Sequence, residues 1–171
     1  MSMDINVYID DFTNITKEGC EEYLLQFWLK AQVHPKVEFV TSEGFVPFRV
    51  EYISVDMLKN KAYITGFEIY IDKYDYKQII KDEIKPLINH KADELLKRCN
   101  YEITLSFHEF HEGLIALAFA SYLAETGNGV ICYTTSGEYL YENIKQKSLE
   151  EVGAFFKELD PDTLHLFDGW H

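Results

Sequence analysis

Residues 101–134 read YEITLSFHEFHEGLIALAFASYLAETGNGVICYT, and the pattern changes period twice along the way. Tyr101, Ile103, Leu105 and Phe107 alternate with Glu102, Thr104 and Ser106, which is the two-residue period of a half-buried strand. From Phe110 to about Glu125 the chain is apolar nearly all round, so a helix buried on most sides is predicted there. Gly127-Asn128-Gly129 accept a positive φ and end that helix. VICYT (130–134) then suits a short buried strand. This strand–helix–strand unit is a crossover, and we expect it to bring at least one parallel pair into the sheet.

Working outward, INVYID (5–10) is a β-branched run ending in Asp10-Asp11 and reads as a first strand. Thr16 precedes a helix whose stripe is Cys20, Tyr23, Leu24, Phe27, Trp28 and Ala31, with Glu18, Glu21 and Glu22 in its first turns. His34-Pro35 closes it. KVEFV (36–40), FVPFRVEYI (45–53) and KAYITGFEIYI (61–71) read as three strands, with Ser42-Glu43-Gly44 and Lys59-Asn60 at the turns. Pro47 makes the start of the second an edge or a bulge. In the third, Tyr63, Thr65, Phe67, Ile69 and Ile71 share one face, opposite Ile64, Gly66, Glu68 and Tyr70. Residues 74–99 carry a helical stripe through Ile80, Ile84, Ile88, Leu95 and Cys99, interrupted by Pro86. SGEYLYE (136–142) is extended. The last helix is expected over 148–159, with Ser148 and Glu151 at capping-box spacing.

The resulting expectation is a single α+β domain of order β-α-β-β-β-α-β-α-β-α. Its sheet is mixed but mostly antiparallel, with helices packed mainly on one side. At 171 residues, 47% hydrophobic and 26% charged, the chain is long and apolar enough to bury a core. No apolar run reaches the roughly 18 to 20 residues needed to cross a bilayer. MSMDINVYIDD has neither a basic nor an apolar signal region, so no secretory signal is expected. Cys20, Cys99 and Cys132 are widely spaced and odd in number, which fits buried thiols in a reducing cytoplasm. Sixteen Lys and Arg against 29 Asp and Glu give a formal charge of −13. That balance disfavours direct nucleic-acid binding, which needs a basic stripe to displace counterions, and it would steer a cationic partner.

FHEFHEG (107–113) holds the most suggestive chemistry. His108, His111 and Glu112 would be the ligands if a metal bound here. The zinc-protease pattern, however, needs HExxH, and here the spacing is one residue short. The switch from strand to helix inside the stretch also denies the two histidines a shared geometry. Glu109 and Glu112 are therefore expected at a helix N-terminus, where the dipole favours them. No nucleophile elbow or phosphate loop is present, and no cofactor is expected. Asp10 and Asp11 could border a binding surface at a strand end. So could the acid-flanked tyrosines Tyr74, Tyr76, Tyr139 and Tyr141 with Glu138, because tyrosine gives rigid, amphipathic contact area. Trp170 would be an interaction anchor if exposed.

From Glu112 the chain runs EGLIALAFASYLAETGNGVICYTTSGEYL (112–140). Through Leu123-Ala124, Gly127, Gly129 and Gly137-Glu138-Tyr139 this resembles immunity proteins of bacterial polymorphic toxin systems. In many of those an aspartate follows the short strand, whereas here Tyr133-Thr134-Thr135 stands instead, so no binding residues carry over. The resemblance implies a cytoplasmic protein without an active site that binds and neutralises a cognate toxin domain. Such toxins often have cationic clefts. The competing expectation is a small hydrolase or metal-dependent enzyme using the His108–Glu112 region.

Overall fold

The computed structural model describes residues 2–39, 41–78 and 90–171. The sequence builds an α+β fold around one sheet. Its strands are β1 (Met3–Ile9), β2 (Leu29–Val33), β3 (Gly44–Tyr52), β4 (Tyr63–Lys73), β5 (Tyr101–Phe107), β6 (Val130–Tyr133), β7 (Glu138–Leu140) and β8 (His165–Leu166). The described α-helices are α1 (Lys17–Leu24), α2 (His90–Leu96), α3 (Phe110–Thr126) and α4 (Ile144–Lys157). The order across the sheet is β2-β3-β4-β5-β1-β6-β7, and β8 adds to the start of β4. Every pairing among the described residues is antiparallel.

The 101–134 unit forms as a strand, a 17-residue helix and a strand. The expected parallel pair does not. β5 and β6 run the same way, but β1 lies between them and pairs antiparallel with both. A helix of 17 residues returns the chain by about 25 Å, and the gap left beside β5 is filled by the strand from the N-terminus.

Three further expectations are corrected. The first helix stops at Leu24, and a 3₁₀ turn at Leu25–Phe27 follows. Trp28 takes a left-handed conformation (φ 59°) and lies 46% exposed instead of on a buried stripe. Residues 29–33 then form β2, because Leu29, Ala31 and Val33 alternate into the core and Lys30 and Gln32 face out. KVEFV is not a strand over its described residues 36–39. It is a turned loop in which Val37 N–H bonds to His34 O and Ser42 N–H to Glu38 O, while Val37 and Phe39 drop into the core. Consequently β3 pairs with β2 across the 34–43 loop instead of with 36–40. Finally, α4 starts at Ile144, so Ser148 is buried within the helix instead of capping it. The first-turn amide of Lys145 is satisfied by Glu125 Oε1 of α3 at 3.2 Å, a tertiary partner that replaces a local cap. Of the 74–99 helical expectation, Ile80, Ile84, Pro86 and Ile88 lie outside the described residues.

The helices α1, α3 and α4 cover one face of the sheet. Ile5, Val7 and Ile9 of β1, Val46, Phe48, Val50 and Tyr52 of β3, Phe67 and Ile69 of β4, and Ile103, Leu105 and Phe107 of β5 line the core beneath these helices. Phe119 is fully buried at the centre, with ring centroids 5.1 Å from Phe39, 5.1 Å from Phe67 and 6.3 Å from Phe48. Several polar groups that enter this layer are paired, whereas the buried Tyr52 Oη has no hydrogen-bond partner among the described residues. Tyr122 Oη accepts from Thr16 N–H at 2.9 Å and donates to Thr16 O at 3.0 Å, which pins the start of α1 to α3. Thr16 Oγ1 in turn accepts from Gly19 N–H and caps α1. Gly129 is needed where α3 gives way to β6, because a side chain there would collide with the carbonyl oxygen of Tyr8 on β1.

The opposite face carries a second, smaller core. Tyr8, Val130 and Cys132 of β1 and β6 pack with Tyr74, Leu96 and Cys99 under α2. The helices are thus mainly on one side, as expected, with α2 on the other. No helix among the described residues is long and apolar enough to cross a membrane.

Candidate functional site

The FHEFHEG junction assembles as a helix start. The Glu112 carboxylate accepts the backbone N–H of His108 at 2.7 Å and that of Glu109 at 3.1 Å, satisfying donors that the first turn of α3 leaves free. The two histidines diverge. His108 is exposed, whereas His111 is buried, with Nδ1 2.7 Å from Thr65 Oγ1 on β4. Burial holds the imidazolium of His111 below its ordinary pKa, while the charges of Glu112 and Glu109 pull the other way. With Glu112 engaged by backbone and His111 by Thr65, the stretch supplies a cap and a buried polar tie. Among the described residues no three His, Cys, Asp or Glu side chains converge as a metal site.

The three cysteines are free and buried. Burial raises all three thiol pKa values, that of Cys99 to about 11, so the thiolate that a nucleophile needs is suppressed.

Several of the aromatic and acidic residues marked in the sequence gather around β1, β6, β7 and α2. Tyr74 is buried against Tyr8, ring centroids 4.8 Å apart, and belongs to the second core. Tyr76 and Tyr141 sit on its rim under cations, Lys97 at 5.6 Å and Lys91 at 5.8 Å. Tyr139 packs beside them opposite Cys132, and Glu138 is exposed on β7. Asp10 is fixed by Asn100, whose Nδ2 donates to its Oδ1 at 2.9 Å and its backbone O at 3.1 Å. Asp11 accepts from Thr13 N–H in a local turn. Two open clefts flank this region. One of about 710 Å³ lies between Tyr74, Tyr76, Lys73, Lys77 and Lys97. The other, about 540 Å³, has Asp10, Arg98, Glu125, Tyr141 and Asn143 on its walls. Trp170 is elsewhere: its ring is half-buried between His34 (4.9 Å) and Phe167 (4.8 Å), beyond β3, where Arg49 lies over Phe167.

Beyond the second core, the face opposite α1, α3 and α4 holds a set of residues that the sequence reading did not bring together. The strand register aligns them in rows. Phe45, Glu68, Ser106 and Asp4 are successive partners across β3, β4, β5 and β1. Tyr70, Thr104 and Asn6 form the next row, and Asp72, Glu102 and Tyr8 the third. Phe45 is 53% exposed and Tyr70 42%, and Tyr70 Oη donates to Glu68 at 2.9 Å. Glu102 is perturbed from its ordinary state. Half-burial raises its pKa, a hydrogen bond from Tyr8 opposes the rise, and Asp72 directly opposite adds to it. The outward positions of Glu102, Thr104, Ser106, Glu68 and Tyr70 follow from alternation. Their alignment depends on which strands are neighbours.

Comparison with protein-family models, with curated proteins and with solved structures finds no significant match for this chain.

Proposed function

We propose that the chain is an acidic, cytoplasmic binding protein that neutralises a cognate cationic toxin domain, as the immunity proteins resembled by residues 112–140 do. The observation that carries this reading is the excess of acidic over basic side chains, much of it on the surface. The sequence holds 29 Asp and Glu against 16 Lys and Arg, a formal charge of −13, and among the described residues Asp10, Glu68, Asp72 and Glu138 are exposed. This surplus projects a field that would accelerate and orient encounter with a basic surface. The free, buried cysteines suit a reducing compartment. The enzymatic alternative at His108–Glu112 is not favoured by the geometry, in which Glu112 and His111 already have structural partners.

The test is to inspect the genes beside this one and to co-express the chain with any toxin-like gene found there. Survival of cells that the toxin alone kills, co-purification of the two proteins, and an affinity that falls as salt rises are the expected results. Cells that die despite expression of this chain, or a locus with no toxin-like gene, would overturn the reading.

A further inference from the structure

Resting on that reading, we propose that the rows of outward residues on β3, β4, β5 and β1 form the docking surface, and that its occupant is a protein surface presenting arginines or lysines. The register places Asp4, Glu68, Asp72 and Glu102 on four positions of one pleated face, with Phe45 and Tyr70 exposed among them. Neighbouring strands lie about 4.8 Å apart, and outward residues along a strand about 6.8 Å apart. That grid spreads the four carboxylates across three rows of the face, a spacing that matches several cationic side chains. No three metal-binding side chains converge among the described residues.

Asp72 and Glu102 are direct cross-strand partners, and like charges so placed repel each other. A guanidinium set between them would remove the repulsion and could donate to both. Tyr70, one strand position away on the same face, offers a ring for a second cation or for apolar contact. Cations flank this acidic centre at both ends: Arg49 and Lys30 share Glu51 at 2.9 and 3.8 Å, and Lys91 of α2 and Lys97 just after it lie over Tyr141 and Tyr76. The acidic centre thus lies between two basic margins, which restricts how a cationic partner can seat.

The test uses isotopically labelled protein and, as probe, a short arginine-rich peptide at low salt. The expected result is that amide shifts concentrate at Phe45, Glu68, Tyr70, Asp72, Glu102 and Thr104. The double variant Asp72→Asn/Glu102→Gln should bind about tenfold more weakly. The control Glu150→Gln/Glu158→Gln removes the same charge from the α4 region and should leave binding nearly unchanged. Shifts centred on Glu138 to Tyr141, or equal weakening by both double variants, would overturn the assignment. A second arm uses the neighbouring toxin-like domain. If it binds wild type and Asp72→Asn/Glu102→Gln equally, the surface is wrong while the proposed function stands. If it does not bind wild type at all, the proposed function fails and the peptide map alone decides the surface.

Discussion

The two faces of the sheet are built from the same strands and have opposite characters. On one, Ile103, Leu105 and Phe107 of β5 lie under α3 with almost no exposure. On the other, Glu102, Thr104 and Ser106 of the same strand are partly open to solvent. The first face is held by burial and close aromatic packing. The second packs a small core under α2 at the β1–β6 end and leaves polar and aromatic rows open toward β3 and β4. Stability is thus concentrated in one layer, which frees the other to carry charges that work against the fold.

This contrast can be broken at four points. The largest effect belongs to Phe119→Ala, which should lower the unfolding free energy by about 3–5 kcal/mol, since it empties the centre of the aromatic cluster. Tyr70→Ala, on the open face, should stay within about 1 kcal/mol of wild type. Denaturant melts of both would measure the gap, and a Tyr70 variant as unstable as the Phe119 one would mean that the second face is core too. Next comes the pair of histidines. His111→Ala should cost about 1–3 kcal/mol, because it opens a buried site and strips Thr65 of its partner, whereas His108→Ala should be neutral. Equal losses at the two positions would contradict their divergence at the junction. A smaller effect of opposite sign is expected for Asp72→Asn. Removing one of two facing carboxylates should stabilise the free protein by about 0.2–1 kcal/mol, seen as a higher melting temperature at low salt that fades as salt is added.

The smallest effects are in the pH dependence, where the two faces should give opposite slopes. His111 has a depressed pKa in the folded state. Between that value and the ordinary histidine range the unfolded chain holds more protons, so its contribution to stability grows as pH rises through the window and is lost on acidification. Glu102 has a raised pKa. Above the ordinary glutamate range the folded chain holds more protons, so its contribution falls as pH rises. Stability profiles of His111→Gln and Glu102→Gln against wild type would each flatten one slope, and a variant that changes neither would remove the corresponding burial effect.

Local pattern was enough for β5, α3 and β6, where period and glycine punctuation agree over the whole stretch. It was also enough for β3 and β4, whose inward residues Phe48, Val50, Tyr52, Phe67 and Ile69 are the ones buried. It failed at residues 25–33, where Phe27, Trp28 and Ala31 fit a helical stripe while Leu29, Ala31 and Val33 fit a strand. Ala31 satisfies both periods, and the pairing of β2 with β3 settled the competition. It failed again at Ser148, whose capping spacing is genuine but whose position is taken inside α4 once Glu125 supplies the first-turn acceptor. At FHEFHEG the carboxylates behaved as the period change implied. That His111 would meet Thr65, 46 residues earlier in the chain, was not visible in any local pattern. Among the residues marked as partner-binding, the sequence showed which are aromatic or acidic. Folding then buried Tyr74, tied Asp10 to Asn100 and placed Trp170 against His34 and Phe167, away from Tyr139 of β7.

By itself, then, the sequence determined the elements with one clear period, the inward side of β3, β4 and β5, and the excess of negative charge. These depend on residues close together in the chain, where side-chain spacing follows from backbone geometry alone. Tertiary structure decided the insertion of β1 between β5 and β6, and with it the rows that align Asp4, Glu68, Asp72 and Glu102 on one surface. Strand order is set by how helices and sheet together bury the most apolar area, a property of the whole chain that no single stretch encodes.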